Sequence, residues 1–220
     1  MNTHPSLPYV LPFAAFLVFL SLDGKLGIPP EVEYPLRVVL LSLLLWFVSR
    51  RVISLRAPHW SGSILLGILV FVVWIAPDTL APTWRKHWLF ANPILGAAPV
   101  PASGYASLPW HTLLFRAIRA VILVPIVEEL FWRAWLMRWL IRPEFESVPL
   151  GQYSAQAFWI VAVLFALEHG SYWEVGFLAG VAYNWWMVKT KSLGDCILAH
   201  AVTNLCLSAY VWIAGKWQYW

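Results

Sequence analysis

The sequence predicts an all-α, polytopic integral membrane protein, a helical bundle of seven or eight transmembrane helices, some of them short or re-entrant. Three observations predict it. Of 220 residues, 60% are hydrophobic and only 12% are charged, where a soluble domain carries about 25% charged residues. Mean hydropathy is +0.68. The apolar residues fall in runs of spanning or near-spanning length, separated by short polar links.

The runs lie at about 8–22, 35–53, 61–76, 112–141, 154–169, 174–188 and 194–214. The first has no Lys or Arg before it and no small-x-small site after it, so it is expected to be a retained span rather than a cleaved signal. Pro12, Pro35 and Pro125 sit within or at the ends of runs, where a missing N–H favours kinks. Residues 77–109 form the one long non-spanning segment. It holds prolines 77, 82, 93, 99, 101 and 109, with Trp74, Trp84, Trp88 and Trp110 in or beside it and Gly96 and Gly104 inside. This Pro/Trp-rich stretch is expected to be an interfacial loop with at most a short surface helix. Residues 138–149 form a second polar link. The whole chain, 1–220, reads as a single transmembrane domain.

Basic residues set the expected orientation. Arg50, Arg51 and Arg56 follow the second run, Arg138 and Arg142 the fourth, and Lys189 and Lys191 the sixth. With seven spans all three links share one side, which the positive-inside rule makes cytoplasmic, together with the N-terminus. The net charge of +4 comes from residues scattered between apolar runs, which is no nucleic-acid footprint. Cys196 and Cys206 are ten residues apart on one expected helix, roughly 15 Å along its axis, too far for a disulfide.

The polar residues inside the apolar runs need a reason. Glu128, Glu129 and Arg133 lie together in the fourth run, although a central membrane charge costs roughly 2.5–3.5 kcal/mol even on the lenient insertion scale. Glu129 and Arg133 stand at i, i+4 with the carboxylate N-terminal, the better orientation for an ion pair. Glu128 is turned about 100° away and has no local partner. His169 ends the fifth run with Phe165 four residues earlier on the same face, and the seventh run carries His200 and Asn204, again at i, i+4. If Glu128, His169, His200 and Asn204 converge, the set contains a general base, two imidazoles and an amide donor, the parts needed to activate water and hold an oxyanion. Each also has a bland reading: a packed or interfacial histidine, an interhelical hydrogen bond from His200–Asn204, a structural Glu129–Arg133 pair, and interfacial Glu168 and Glu174. Asp195 follows only part of an intramembrane aspartyl motif, and Asp23 and Asp78 fall in links. There is no His-Glu-x-x-His and no nucleotide-binding signature.

Glu128-Glu129-x-x-x-Arg133, Phe165-x-x-x-His169 and His200-x-x-x-Asn204, in that order, resemble the three motifs of the CAAX prenyl endopeptidase and bacteriocin-processing family, over about residues 112–208. Residues 1–110 add compatible N-terminal spans and the interfacial loop. The resemblance implies an intramembrane endopeptidase whose site opens toward the cytoplasmic side and whose partners are the lipid bilayer and a membrane-associated peptide or protein substrate, with no nucleic acid. It implies Glu128 as the base aided by His169, His200 and Asn204 as the oxyanion site, and Glu129, Arg133 and Phe165 as structural support. The cofactor stays open: Glu128, His169 and His200 could hold Zn²⁺ with water in the fourth place, while a glutamate–histidine pair can activate water without metal, the version slightly favoured. The Glu168-His169-Gly170 context is similar to a bacterial branch associated with PEP-CTERM/exosortase sorting, which implies a bacterial inner (plasma) membrane. Two further functions are compatible with the sequence: a non-catalytic peptide-binding immunity or scaffold protein, and a small transporter, which would more often show repeats or paired broken helices.

Overall fold

The computed structural model describes residues 4–92 and 103–219. Seven helices are found among them. They are α1 (Leu7–Ser21), α2 (Pro30–Ser49), α3 (Trp60–Leu80), α4 (110–139), α5 (Ala155–Leu167), α6 (Trp173–Thr190) and α7 (Leu193–Ala214). By length and composition α2, α3 and α7 can each cross a membrane; α1 and α5 are shorter apolar helices. Every expected run has become a helix, and an eighth helix is not seen among the described residues.

Local chemistry sets the boundaries. The Ser154 hydroxyl caps α5 by accepting from the Ala157 amide, and Ser192 caps α7 by accepting from Asp195. Lys191 (φ 54°) and Gly215 (φ 64°) adopt the left-handed conformation that stops α6 and α7. Two expected ends moved. Pro35 falls inside α2 rather than at its start, and α3 continues through Pro77 to Leu80.

α4 is one rod with two π-helical turns, at Arg119–Leu123 and Leu130–Leu136. Pro125 accounts for the position of the first. A proline crowds the carbonyl four residues before it and brings no N–H, and a widened turn relieves that conflict. The short stretch Val124–Glu129 between the two π turns carries both glutamates.

α3 and α7 pack most closely, because Gly67 lies against the backbone of Ala199 and the side chain of Val202, where a Cβ would collide. Small residues permit such approach where hydrocarbon offers no hydrophobic drive. The core of the bundle is apolar and aromatic, with Leu41, Val127, Leu130, Val161, Phe165 and Met187 fully or almost fully buried.

The long link after α3 holds a 3₁₀ turn at Trp84–Lys86 and another at Ser103–Ser107; Pro93, Gly96, Pro99 and Pro101 of the expected loop lie outside the described residues. Arg85 anchors it, pairing with Asp78 and Glu174 at 2.8 Å each and donating to the Ser171 carbonyl at 2.6 Å. Burial opposes the Arg85 charge, but Glu174 and Asp78 outweigh it and raise its pKa above that of a free arginine. Glu174 is thus one half of this clasp, as an interfacial reading allows.

Candidate active site

α5 places the first histidine. Its 13 residues span only about 20 Å, less than the ~30 Å hydrocarbon core. His169 follows immediately, in non-helical backbone that the α3–α4 link covers through Arg85 and through Trp173 Nε1–H donating to the Leu89 carbonyl at 3.0 Å. Covered irregular backbone of this kind is tolerated inside a membrane. His169 Nδ1 lies 2.7 Å from the Phe165 carbonyl. A carbonyl only accepts, so Nδ1 carries the proton and Nε2 keeps its lone pair. The ring is packed between Phe165 and Trp74, at centroid distances of 4.7 and 5.1 Å, and Gly176 leaves room for it, since a Cβ there would press on the imidazole.

The second histidine joins the two glutamates. His200 Nδ1 meets Glu129 Oε1 at 2.9 Å, and its Nε2 faces Glu128 Oε2 at 4.0 Å. The same Glu129 oxygen accepts from Arg133 Nη1 at 3.1 Å. Arg133 Nε donates to Asn184 Oδ1 at 3.0 Å, and Asn184 Nδ2 donates to the Phe158 carbonyl at 2.8 Å. Phe165 lies under the guanidinium, 4.4 Å from ring centroid to Cζ. Glu129 and Arg133 are 0% exposed. The expected i, i+4 pair therefore exists, and Glu129 has the further task of orienting His200, as a carboxylate behind an imidazole does.

Tyr183 holds the other face of His200, stacked at 5.1 Å, and its hydroxyl donates to Thr203 Oγ1 at 2.7 Å. Thr203 in turn donates to the Gly67 carbonyl at 2.9 Å. Asn184, Tyr183 and Thr203 were not among the residues expected from sequence. Asn184 carried a signal, being a polar residue in an otherwise apolar run; Tyr183 and Thr203 carried none.

Asn204 donates to the Ala120 carbonyl at 2.8 Å, and the π turn explains why that oxygen needs a partner. Along α4 it can be reached by the N–H of residue 124 or 125. The Val124 N–H goes to Arg119 instead, and Pro125 has none. Asn204 supplies the missing donor and keeps one amide hydrogen free.

Glu128, His169, His200 and Asn204 line one cavity of about 200 Å³, with Phe165 and Trp74 also in its wall. Glu128 is 4% exposed and has no hydrogen-bond partner on Oε2. The 4.0 Å gap to His200 is too long for a hydrogen bond and short enough for one water to touch both atoms. Glu128, His169 and His200, a possible zinc set beside the slightly favoured metal-free version, do not gather as one: among the described residues no three His, Cys, Asp or Glu side chains come together at metal-ligand spacing.

Toward the basic links the cavity is closed by two polar layers. Glu129, Arg133 and Asn184 form the first. Asp195 forms the second, accepting from the His59 amide at 3.0 Å and from Ser63 Oγ at 2.9 Å, with Trp186 Nε1–H donating to Ser63 at 3.0 Å. Asp195 is thus a fully buried clasp between α3 and α7. Glu168, adjacent to His169, accepts from Trp132 Nε1 at 3.2 Å and ties α5 to α4.

Residues 109–206 match the family described as Type II CAAX prenyl endopeptidase Rce1-like. No curated protein and no solved structure matches the chain.

Proposed function

We propose, on the premise that residues 109–206 form an Rce1-like CAAX prenyl endopeptidase domain, a domain of a protease family, that this integral membrane protein cleaves a membrane-associated peptide or protein within the cavity between α3, α4, α5, α6 and α7. The observation that carries this reading is the shared cavity: four polar residues, from α4, α7 and the backbone just after α5, line one apolar space, where an uncompensated carboxylate would otherwise be a pure cost.

Glu128 takes a proton from a water held near His200 and His169, and the water attacks the scissile carbonyl. His169, with its Nε2 lone pair free, accepts a hydrogen bond from the water's other hydrogen and orients it for attack. The new oxyanion accepts from the free amide hydrogen of Asn204 and from the Nε2–H of His200, which enters the step as an imidazolium whose Nδ1–H donates to Glu129. Glu128 then returns the proton to the departing amine, so water is consumed and no group stays on the enzyme. Glu129, Arg133 and Asn184 fix the orientation of His200.

Access follows the cavity's length. Its wall runs from His200 and Tyr183 toward Trp74 and Tyr219, at the helix ends remote from Arg50, Arg51, Arg138 and Lys189, and the two polar layers close the other way. The substrate accordingly enters from the side opposite the basic links. If those links are cytoplasmic, that side is extracytoplasmic, in contrast to the cytoplasmic opening the resemblance implied. The narrower likeness to the PEP-CTERM-associated branch rests on the Glu168-His169-Gly170 context alone.

Reaction of the purified protein with a membrane-peptide library in ¹⁸O-water tests the reaction type. Hydrolysis puts one ¹⁸O into the new carboxyl terminus of each cleaved peptide, and His200→Ala suppresses the product. Fragments formed equally by wild type and His200→Ala would overturn the proposal.

A further inference from the structure

A group of charges outside the cavity is unbalanced. At the Trp110 end of α4, Arg116 and Arg119 face the Pro30 end of α2. Arg37 on α2 pairs with Glu33 and reaches Asp23 at 3.1 Å. Arg116 Nη1 lies 3.9 Å from Asp23 and donates to the Tyr34 hydroxyl at 3.5 Å. Arg119 stands behind them, 8% exposed, with Cζ 5.7 Å from the Tyr34 ring centroid. Among the described residues no carboxylate or other hydrogen-bond acceptor meets its guanidinium. Among the described residues, these three guanidinium groups thus have two carboxylates near them, Glu33 and Asp23. Residues 93–102, which lie outside the described ones, contain no Asp or Glu.

A buried guanidinium without an anion is expensive in any protein and more so in a bilayer. Its five donors in a planar fork suit a phosphate or carboxylate oxygen pair. The surroundings point to a lipid. Leu36 and Val39 on α2 and Leu114 and Ile122 on α4 are exposed apolar side chains on the two helices that carry the arginines, a surface for acyl chains. Tyr34, at the second turn of α2, is buried between α2 and the arginines of α4.

We propose that Arg119, with Arg116 beside it, binds the phosphate of a phospholipid at the α2–α4 seam. The bound lipid neutralises the third guanidinium and braces the Arg119–Leu123 π turn, whose first residue is the ligand itself. This site lies outside the proposed protease chemistry, so its test uses no cleavage assay.

The delipidated full-length protein in neutral detergent is titrated with phosphatidylglycerol, with phosphatidylcholine, or with inorganic phosphate, while thermal unfolding and native mass spectrometry are recorded. The expected result is a melting temperature raised by phosphatidylglycerol, one retained phosphatidylglycerol per chain, and about tenfold weaker retention in Arg119→Gln. Inorganic phosphate should give no such shift; an equal shift would mean a site for free oxyanions and overturn the lipid assignment. Unchanged retention in Arg119→Gln would overturn the site. Should that variant not fold, Arg119→Lys keeps the charge and loses the fork, and wild-type retention in it would also contradict the proposal.

Discussion

At the scale of single residues, the buried charges divide by partnership. Glu129 has Arg133 and His200 on one oxygen, whereas Glu128 faces a cavity. Removing one partner of a buried network strands the rest and costs roughly 3–5 kcal/mol. Glu129→Gln is therefore expected to lower the melting temperature strongly, and Asn184→Leu to lower it as well by leaving Arg133 Nε without its acceptor; thermal unfolding in detergent measures both. The absence of a three-ligand cluster leads to a second expectation. Turnover should be unchanged by prolonged dialysis against a strong chelator, and loss restored by added Zn²⁺ would refute it. Glu128 and its unpaired state were legible in the sequence, because spacing alone separates it from the i, i+4 pair. The task of Glu129 behind His200 was not, because it depends on a contact across 71 positions.

At the scale of elements, the decisive device is the interrupted α4. Pro125 removes one donor, the π turn redirects another to Arg119, and Asn204 on α7 satisfies the remaining Ala120 carbonyl. This gives Asn204 a positioning role besides its place in the cavity wall, and a double-mutant cycle separates the two. Asn204→Ala should speed amide exchange through residues 124–129 and lower the melting temperature, by an amount near 1–3 kcal/mol for an orphaned carbonyl. In a Pro125→Ala background the backbone can again donate, so the same substitution should cost little stability while the oxyanion defect in turnover persists. Equal stability costs in both backgrounds would contradict the coupling. Sequence patterns located Pro125 within an apolar run but not the π turns, since hydropathy does not depend on whether a turn holds 3.6 or 4.4 residues. They put His169 at the end of its run but did not show the α3–α4 link folded over that end.

For the molecule as a whole, all seven apolar runs became helices, and the residues that carry the three motifs meet in one place. Burial demands of long apolar segments are local and strong, so they are readable along the chain. The direction of the cavity is not, because it depends on which polar layers close which end. Asp195, which follows only part of an aspartyl motif in sequence, is held by His59 and Ser63 across α3 and α7. Cysteine labelling checks the direction. In a background lacking Cys196 and Cys206, Ser208→Cys in the cavity wall should react with a membrane-impermeant maleimide added to intact cells. Arg56→Cys should react only after permeabilisation. The opposite pattern would reverse the orientation.

The central claim is the division between Glu128 as base and Glu129 as brace. Its most direct test is turnover of a cleavable membrane peptide in proteoliposomes, measured beside melting temperature for Glu128→Gln and Glu129→Gln. We expect Glu128→Gln to lose at least about 10²-fold in turnover at a wild-type melting temperature, and Glu129→Gln to lose stability first. Near-wild-type turnover in Glu128→Gln would contradict the account.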